Sequence, residues 1–349
     1  MEIVSGKRAG HVLYASDDKG FLPLAVAVHS LLVHADPSRP LKVSVFTGCG
    51  ALSEEHWRRL EDLVVPFPFA RIEILDVDAL LERHREAFAK SGTQWGPMMW
   101  ARCMIGELFR DEDGPVVYLD IDTLVCRDLG ELYDIDMSDC GDGRPLVLGA
   151  VCEECRESGV AHDPIWSSPL FDARANRYFN SGFLVMNVTA FREERLLERI
   201  VAWYAEHKRE VWRPDQDALN CLFWDRTRFL HPRYNHCDGW LERQLKEDFR
   251  ARYWRGNAPR EVLEAILEPA VLHFWGNRKP WRWNHRPEGL RYEREMRATG
   301  VLEGELPGMT WGRRIVGALF LVYHGWLRKR VVARLGRMRT ESSDDFDIM

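Results

Sequence analysis

Two aspartates, Asp120 and Asp122, close an apolar run that reads Val116-Val117-Tyr118-Leu119. Side chains in a strand alternate between faces, so carboxylates two positions apart look the same way. Paired acids at the end of a buried strand are costly unless a positive group neutralises them. A divalent cation with oxygen ligands is one answer, and such a cation can in turn hold a diphosphate. Taken alone, the D-x-D triplet is balanced between a metal site and an exposed turn; its place after an apolar strand favours the metal. The chain is therefore a candidate metal-dependent enzyme acting on a nucleotide-sugar.

Four further stretches carry chemistry. Tyr14-Ala15-Ser16-Asp17-Asp18 ends the opening strand; its small residues let a planar base approach the backbone, and Asp17 can accept from a base N–H or a ribose hydroxyl. A polar loop reads the same way. In Phe179-Asn180-Ser181-Gly182, Asn180 and Ser181 offer donors to sugar hydroxyls and Gly182 allows close backbone approach, though Asn-Ser-Gly is also an ordinary turn into a buried strand. Pro214-Asp215-Gln216-Asp217 opens a helix, where acids complement the macrodipole, so Asp217 reads as structural. Last, His273 ends an apolar run and Lys279 follows across a glycine loop, Gly276-Asn277-Arg278, before Pro280-Trp281. A histidine there can join a metal while the lysine reaches a phosphate.

The elements that must position these groups alternate. Strand patterns fall at His11–Ala15, Leu41–Thr47, Arg71–Leu75, Val116–Asp120, Leu146–Val151, Phe183–Val188 and Ala270–Phe274. Helical patterns fall at Phe21–His34, Ser53–Leu63, Pro97–Phe109 and from Thr189 to Lys208, with a short helix opened by Pro214. Such alternation predicts an α/β fold with a mainly parallel, Rossmann-like sheet and flanking helices. Ligands of such sheets gather at C-terminal strand ends, where Asp17, Asp120 and Asp122 stand.

Composition agrees. An apolar fraction of 46% with 29% charged residues is that of a globular chain, not a disordered one. The net charge of −6 is uneven: residues 310–339 hold eight Lys/Arg and no acid, leaving −14 elsewhere. A basic stretch confined to one end does not suit a general nucleic-acid binder. The longest apolar run, Ile315–Tyr323, is too short to span a bilayer, and no N-terminal leader is legible, so the expectation is a cytoplasmic chain. Its mixture of aromatic, apolar and basic residues suits an interfacial helix on the inner face of an anionic membrane as well as it suits a helix packed on the catalytic domain. Eight cysteines form no disulfide framework, and the lone Cys152-x-x-Cys155 lacks the further ligands of a zinc site.

With these stretches in order from Val12 to Trp281, the sequence resembles the family-8 retaining glycosyltransferases of the bacterial lipopolysaccharide galactosyl/glucosyltransferase type, relatives of glycogenin. The resemblance rests on Ala15-Ser16-Asp17-Asp18, the Arg of Trp100-Ala101-Arg102, Leu119-Asp120-Ile121-Asp122, Phe179-Asn180-Ser181-Gly182, Asp215-Gln216-Asp217 and the His-x-x-Gly-x-x-Lys-Pro-Trp ending. It implies a GT-A catalytic domain over 1–285, followed by a C-terminal helical segment over 286–349. It implies Mn²⁺ (or Mg²⁺) on Asp120, Asp122 and His273, and a UDP-sugar whose base or ribose meets Asp17, with Ala15, Ser16 and Ile121 among the donor-binding residues. Gly276 and Lys279 would hold the diphosphate, and Lys279 would stabilise departing UDP. Arg102, Glu153, Asn180, Ser181, Asp215 and Gln216 would hold the donor sugar, Gln216 beside the anomeric carbon. Lys19 and Gly20 stand where the family often carries Asn-Tyr, and Glu153 where it often carries Asp.

The activity so implied is hexose transfer, glucose or galactose, to a saccharide acceptor such as lipopolysaccharide or another cell-surface glycan. A glutamine at the reacting carbon is a poor nucleophile, so attack from the face of departure is favoured over double displacement through Asp215. Two other classes fit parts of the pattern: a sugar nucleotidyltransferase, which would show a Gly-rich basic loop absent from Ala15–Gly20, and a non-catalytic carbohydrate-binding protein on the same fold.

Overall fold

A computed structural model of the chain describes residues 3–4, 7–48, 52–88, 97–109, 114–155, 168–237 apart from 173, 257, 259–276, 279–282, 288–301 and helical positions between 311 and 333. A short ribbon, β1 (Ile3–Val4) with β2 (Lys7–Arg8), precedes ten further strands: β3 (Gly10–Ala15), β4 (Leu41–Thr47), β5 (Ala70–Asp76), β6 (Pro115–Leu119), β7 (Thr123–Val125), β8 (Leu148–Cys155), β9 (Arg177–Asn187), β10 (Thr227–Phe229), β11 (His236–Cys237) and β12 (Val271–His273). The main sheet runs β10-β8-β9-β6-β3-β4-β5 and is parallel except for β9, which opposes both neighbours. A small second sheet, β11-β12-β7, sits beside it.

The apolar runs form strands because both faces of the sheet are covered. Leu13, Val116, Tyr118, Leu184 and Met186 enter one core with Trp100, while Val12, Tyr14, Val117, Leu119, Phe183 and Val185 enter another with helix α1 (Phe21–His34). Alternate residues of one strand thus reach different cores, which is the period of a pleated strand buried on two sides. Helix α2 (Glu54–Val64) starts where the acids suggest, with the Ser53 hydroxyl accepting from His56 N–H at 3.3 Å.

Two helical expectations differ in detail. Pro97–Met104 winds as a 3₁₀ helix before one α turn at Ile105–Leu108. The tighter turn stacks Arg102 over Met99, whose carbonyl accepts from Arg102 Nε at 3.2 Å. The segment from Thr189 to Lys208 is broken by Arg195, which adopts a left-handed φ of 52° before α3 (Leu196–His207). Glu194 at the break accepts two hydrogen bonds from Arg226, at 2.6 and 2.7 Å, and this tie turns the chain.

Helix α4 (Pro214–Phe223) carries Asp215 and Gln216, and it is bolted to β9. Fully buried Asn220 accepts from Phe179 N–H and donates to Phe179 C=O, both at 2.9 Å, as a neighbouring strand would. Beyond β12, α5 (Gly289–Ala298) follows the expected 285/286 boundary. It packs Tyr292 and Met296 against Phe274, and Glu295 pairs with His29 of α1. Replacing Asn220 by Ala strands the Phe179 backbone groups, and the expected loss is about 2–4 kcal/mol in urea-unfolding free energy, since each buried unsatisfied group costs about 1–3 kcal/mol.

Candidate active site

The C-terminal end of β6, the N-terminal half of the reversed strand β9, the start of α4 and the end of β12 converge on one inner cavity of about 200 Å³. Its lining includes Arg102, Asp120, Asp122, Asn180, Ser181, Gly182, Asp215, Gln216, His273, Gly276 and Lys279. It opens into a cleft of about 750 Å³ that Ala15, Ile121, Met98, Met99, Trp212, Trp275 and Trp281 also line. Another cavity of about 460 Å³, at the opposite strand ends around Pro40, Phe69 and Pro115, lacks this convergence of acids and amides. Chemistry, not volume, separates the two.

The two aspartates meet, though not by strand alternation. Strand β6 stops at Leu119, and residues 120–122 form a turn closed by Thr123, whose N–H and hydroxyl both donate to Asp120 C=O, at 3.2 and 2.7 Å. The turn folds Asp122 back beside Asp120, and His273 of β12 completes the group. His273 Nε2 lies 3.3 Å from Asp122 Oδ1 and 3.9 Å from Asp120 Oδ2. One ligand atom from each of the three residues lies within 4.8 Å of the others. Two carboxylates and an imidazole suit a divalent ion such as Mn²⁺ or Mg²⁺, and the set fits that role.

Partners on every side fix this geometry. Asn235 Nδ2 donates to Asn180 Oδ1 at 3.2 Å, so its Oδ1 faces His273 Nδ1 at 2.8 Å. That holds the proton on Nδ1 and turns Nε2 toward the carboxylates, the usual support for a ligating imidazole. Gly182 lies directly beneath: a Cβ there would fall 2.3 Å from His273 Cε1 and 2.7 Å from Asp120 Oδ2. The close approach anticipated for Gly182 is thus made by the His273 and Asp120 side chains. Gly276 holds a left-handed φ of 83°, which lets the loop after β12 return Lys279 to Asp122.

Electrostatics follows. Burial pushes the Asp122 carboxyl up, but the charges and hydrogen bonds of His273 and Lys279 outweigh it and hold Asp122 well below the usual carboxylate range. Burial lowers His273, and the Asp122 and Asp120 carboxylates more than offset it, so the imidazole sits above its ordinary value. Arg102 is the hub on the other side. Its guanidinium lies 3.0 Å from Asp120 Oδ1 and 3.4 Å from Asp215 Oδ2, donates to Ser181 C=O, and stacks 4.3 Å from the centre of the Tyr118 ring. Burial disfavours its charge, yet these carboxylates raise its pKa further. Asp215, buried beside Ser181, is raised by that burial, with Arg102 opposing and Asp120 reinforcing.

Gln216 is fully engaged. Its Oε1 accepts from Ser181 N–H at 3.0 Å and Asn180 Nδ2 at 3.1 Å, while Nε2 approaches Tyr178 Oη at 3.0 Å and Glu153 Oε2 at 3.5 Å. Glu153 lies where the β8–β9 register slips, and it also pairs with Arg213 at 3.4 Å. Asp217 accepts from the backbone N–H of Trp212 and Arg213, at 2.7 and 2.9 Å, and from the Tyr178 hydroxyl, which fits the capping role read from its position.

At the other end, Ala15 lines the cleft, whereas Ser16, Asp17 and Glu153 stand outside both cavity linings. Asp17 Oδ1 caps the following turn by accepting from Gly20 N–H at 3.0 Å. A Cβ on Gly20 would lie 2.3 Å from Ser16 Oγ and 2.8 Å from Ile121 Cδ1, so a larger residue there requires both side chains to move. Asn180–Gly182 lie within β9 itself rather than in a turn before it. Asn235, Tyr118, Tyr178 and Arg213 were not anticipated. Asn235 falls in a stretch without a readable motif, and its role exists only where three distant segments meet.

Residues 11–285 match the model of Glycosyl transferase family 8. The chain belongs to this family. Among its relatives, general stress protein A of Bacillus subtilis is 29% identical over 81% of this chain and 92% of its own length. The lipopolysaccharide 1,3-galactosyltransferase of Salmonella typhimurium is 22% identical over 79% of this chain and 74% of its own. Among solved structures, the galactosyltransferase LgtC with donor and acceptor sugar analogues superposes with a TM-score of 0.66 at 23% identity, over 85% of this chain and 99% of that one. The bifunctional glycosyltransferase WbbM superposes at 0.67 and 23%, over 84% of this chain and 50% of its own. The fold of this family-8 glycosyltransferase is accordingly GT-A.

Since Gly182 bears on both His273 and Asp120, Gly182→Ala is expected to weaken Mn²⁺ binding, read by calorimetry, by at least about tenfold, the effect of disturbing a ligand's support. An unchanged affinity would show that these side chains do not hold the ion.

Proposed function

We propose that this chain is a retaining hexosyltransferase that moves glucose or galactose from a UDP-sugar to a saccharide acceptor, with Mn²⁺ or Mg²⁺ on Asp120, Asp122 and His273. The observation that carries the reading is the ordering of charge along one cleft. Cationic Lys279 with Asp120 and Asp122 lines both the outer cleft and the inner cavity, whereas the Asp215–Gln216–Asn180–Ser181 amide and carboxylate cluster lines the inner cavity alone. Diphosphate belongs at the first and a polyhydroxylated ring at the second. The names of the lipopolysaccharide galactosyl- and glucosyltransferases among the relatives support a hexose donor and a cell-surface glycan acceptor.

The bond that breaks joins the anomeric carbon to the β-phosphate oxygen, leaving negative charge on UDP. A divalent ion, when bound, supplies Lewis-acid charge to the diphosphate. Lys279 meets the same charge with a fixed ammonium. Arg102 holds Asp120 and Asp215 in place, Gln216 fixes Asn180 and Ser181, and the remaining Asn180 amide proton and Ser181 hydroxyl lone pairs are offered to ring hydroxyls. Asp215 Oδ2 is engaged by both Arg102 and the Ser181 hydroxyl, and a carboxylate oxygen so held is not free to attack carbon, which supports attack by the acceptor hydroxyl on the face that UDP leaves. The departing phosphate oxygen then takes the hydroxyl proton.

With UDP-glucose or UDP-galactose and Mn²⁺, the purified chain is expected to release UDP, and chelator or paired Asn substitutions at Asp120 and Asp122 should lower that rate by about 100-fold or more. Equal rates with and without chelator would overturn the metal assignment. Intact-mass analysis during turnover should find no glycosylated Asp215.

Described positions between 311 and 333 are helical, and Trp311, Ile315, Leu319, Val322 and Trp326 repeat on one exposed face. Eight Lys/Arg in residues 310–339 complement an anionic surface. Among the described residues no helix is long and apolar enough to cross a membrane. The segment is read as an interfacial contact that brings the enzyme to a lipid-linked acceptor. Deleting residues 310–349 should abolish flotation with phosphatidylglycerol vesicles; equal flotation of both forms removes the membrane contact.

A further inference from the structure

Before residue 311, the exposed large apolar side chains among the described residues are Val33, Val65 and Trp212, and of these Trp212 alone lines the outer cleft. Single exposed apolar residues are ordinary on protein surfaces. Trp212 differs because its backbone is held rigidly while its indole is 64% exposed. Its N–H and that of Arg213 both donate to Asp217, a completely buried carboxylate that also accepts from Tyr178. A fully satisfied buried polar network of this kind rigidifies the backbone that takes part in it.

Position along the chain supplies the rest. Arg213, adjacent to the indole, pairs with Glu153, and Asp215 and Gln216 follow within one helical turn on the wall of the inner cavity. A ring resting on Trp212 therefore lies at the entrance to the reacting centre, with Met98 and Met99 lining the same cleft. Indole joins a broad apolar face to a polar edge, which suits the C–H face of a pyranose.

We propose that Trp212 is the stacking platform for the acceptor, receiving a pyranose ring whose hydroxyls meet Arg213, which Glu153 holds from behind. The proposal rests on the transferase reading, and its test is a binding measurement that does not require turnover. Methyl β-glucopyranoside and methyl β-galactopyranoside are titrated by saturation-transfer NMR, with UDP and Mg²⁺ present, into the wild-type chain, W212A and W212F. W212A is expected to raise the glycoside dissociation constant about tenfold, and W212F less than about threefold, as for an aromatic anchor. The UDP dissociation constant should move less than about twofold, which separates an acceptor effect from a general disturbance of the cleft. Unchanged glycoside affinity in W212A, or no glycoside bound by the wild type, overturns the platform. Failure of donor hydrolysis in the wild type strikes the transferase reading instead and leaves the glycoside comparison standing.

Discussion

Three carboxylates share one cleft, Asp120, Asp122 and Asp215, and they are tolerable together only because Arg102, Lys279 and the His273 imidazole stand between and beside them. Arg102 bridges Asp120 to Asp215, while His273 and Lys279 hold Asp122. Withdrawing any one of these partners would leave a carboxylate in a poorly solvated place, where uncompensated charge is expensive. The same balance gives the site its capacity for chemistry. A divalent ion with a diphosphate adds positive and negative charge together, so the cleft accepts both without a new unpaired charge. Arg102 is suited to the bridging position because a planar guanidinium presents several donors in a fixed fork, which a lysine does not.

The rest of the architecture keeps these six groups at their separations. Strand β6 is apolar on both faces and ends abruptly at Leu119, so its carboxylates appear only where the strand stops. The reversed strand β9 matters most: it brings Asn180, Ser181 and Gly182 alongside the β6 end, and Asp120 N–H donates to Gly182 C=O at 2.9 Å. Helix α4 is then joined to β9 by Asn220 and by the Gln216 contacts with Asn180 and Ser181. The floor of the cavity is thereby a continuation of the sheet's own hydrogen bonding, and this rigidity is what preorganised electrostatics requires.

Much of this was legible in the chain as written. The apolar runs at Val12–Tyr14 and Val116–Leu119 fixed the buried parallel strands, because an uninterrupted apolar strand can only lie between two covered faces. Polar residues that interrupt such runs at their ends had to lie at the sheet edge, and Asp120, Asp122 and His273 do. Local chemistry also settled the starts of α2 and α4, through Ser53 and Pro214. Tertiary structure alone decided how the aspartates turn toward each other, since Thr123 closes a turn that strand periodicity does not describe. It decided too that Gly182 makes room for His273 and Asp120 and that Asn235 orients His273, because both roles join segments far apart in sequence. The break at Arg195 and the 3₁₀ winding around Arg102 belong to the same class: each is a local conformation chosen by a partner, Arg226 for one and the Met99 carbonyl for the other, that no neighbouring residue announces. Composition and spacing therefore determined which groups are present at the strand ends, and packing determined which atoms of those groups face one another.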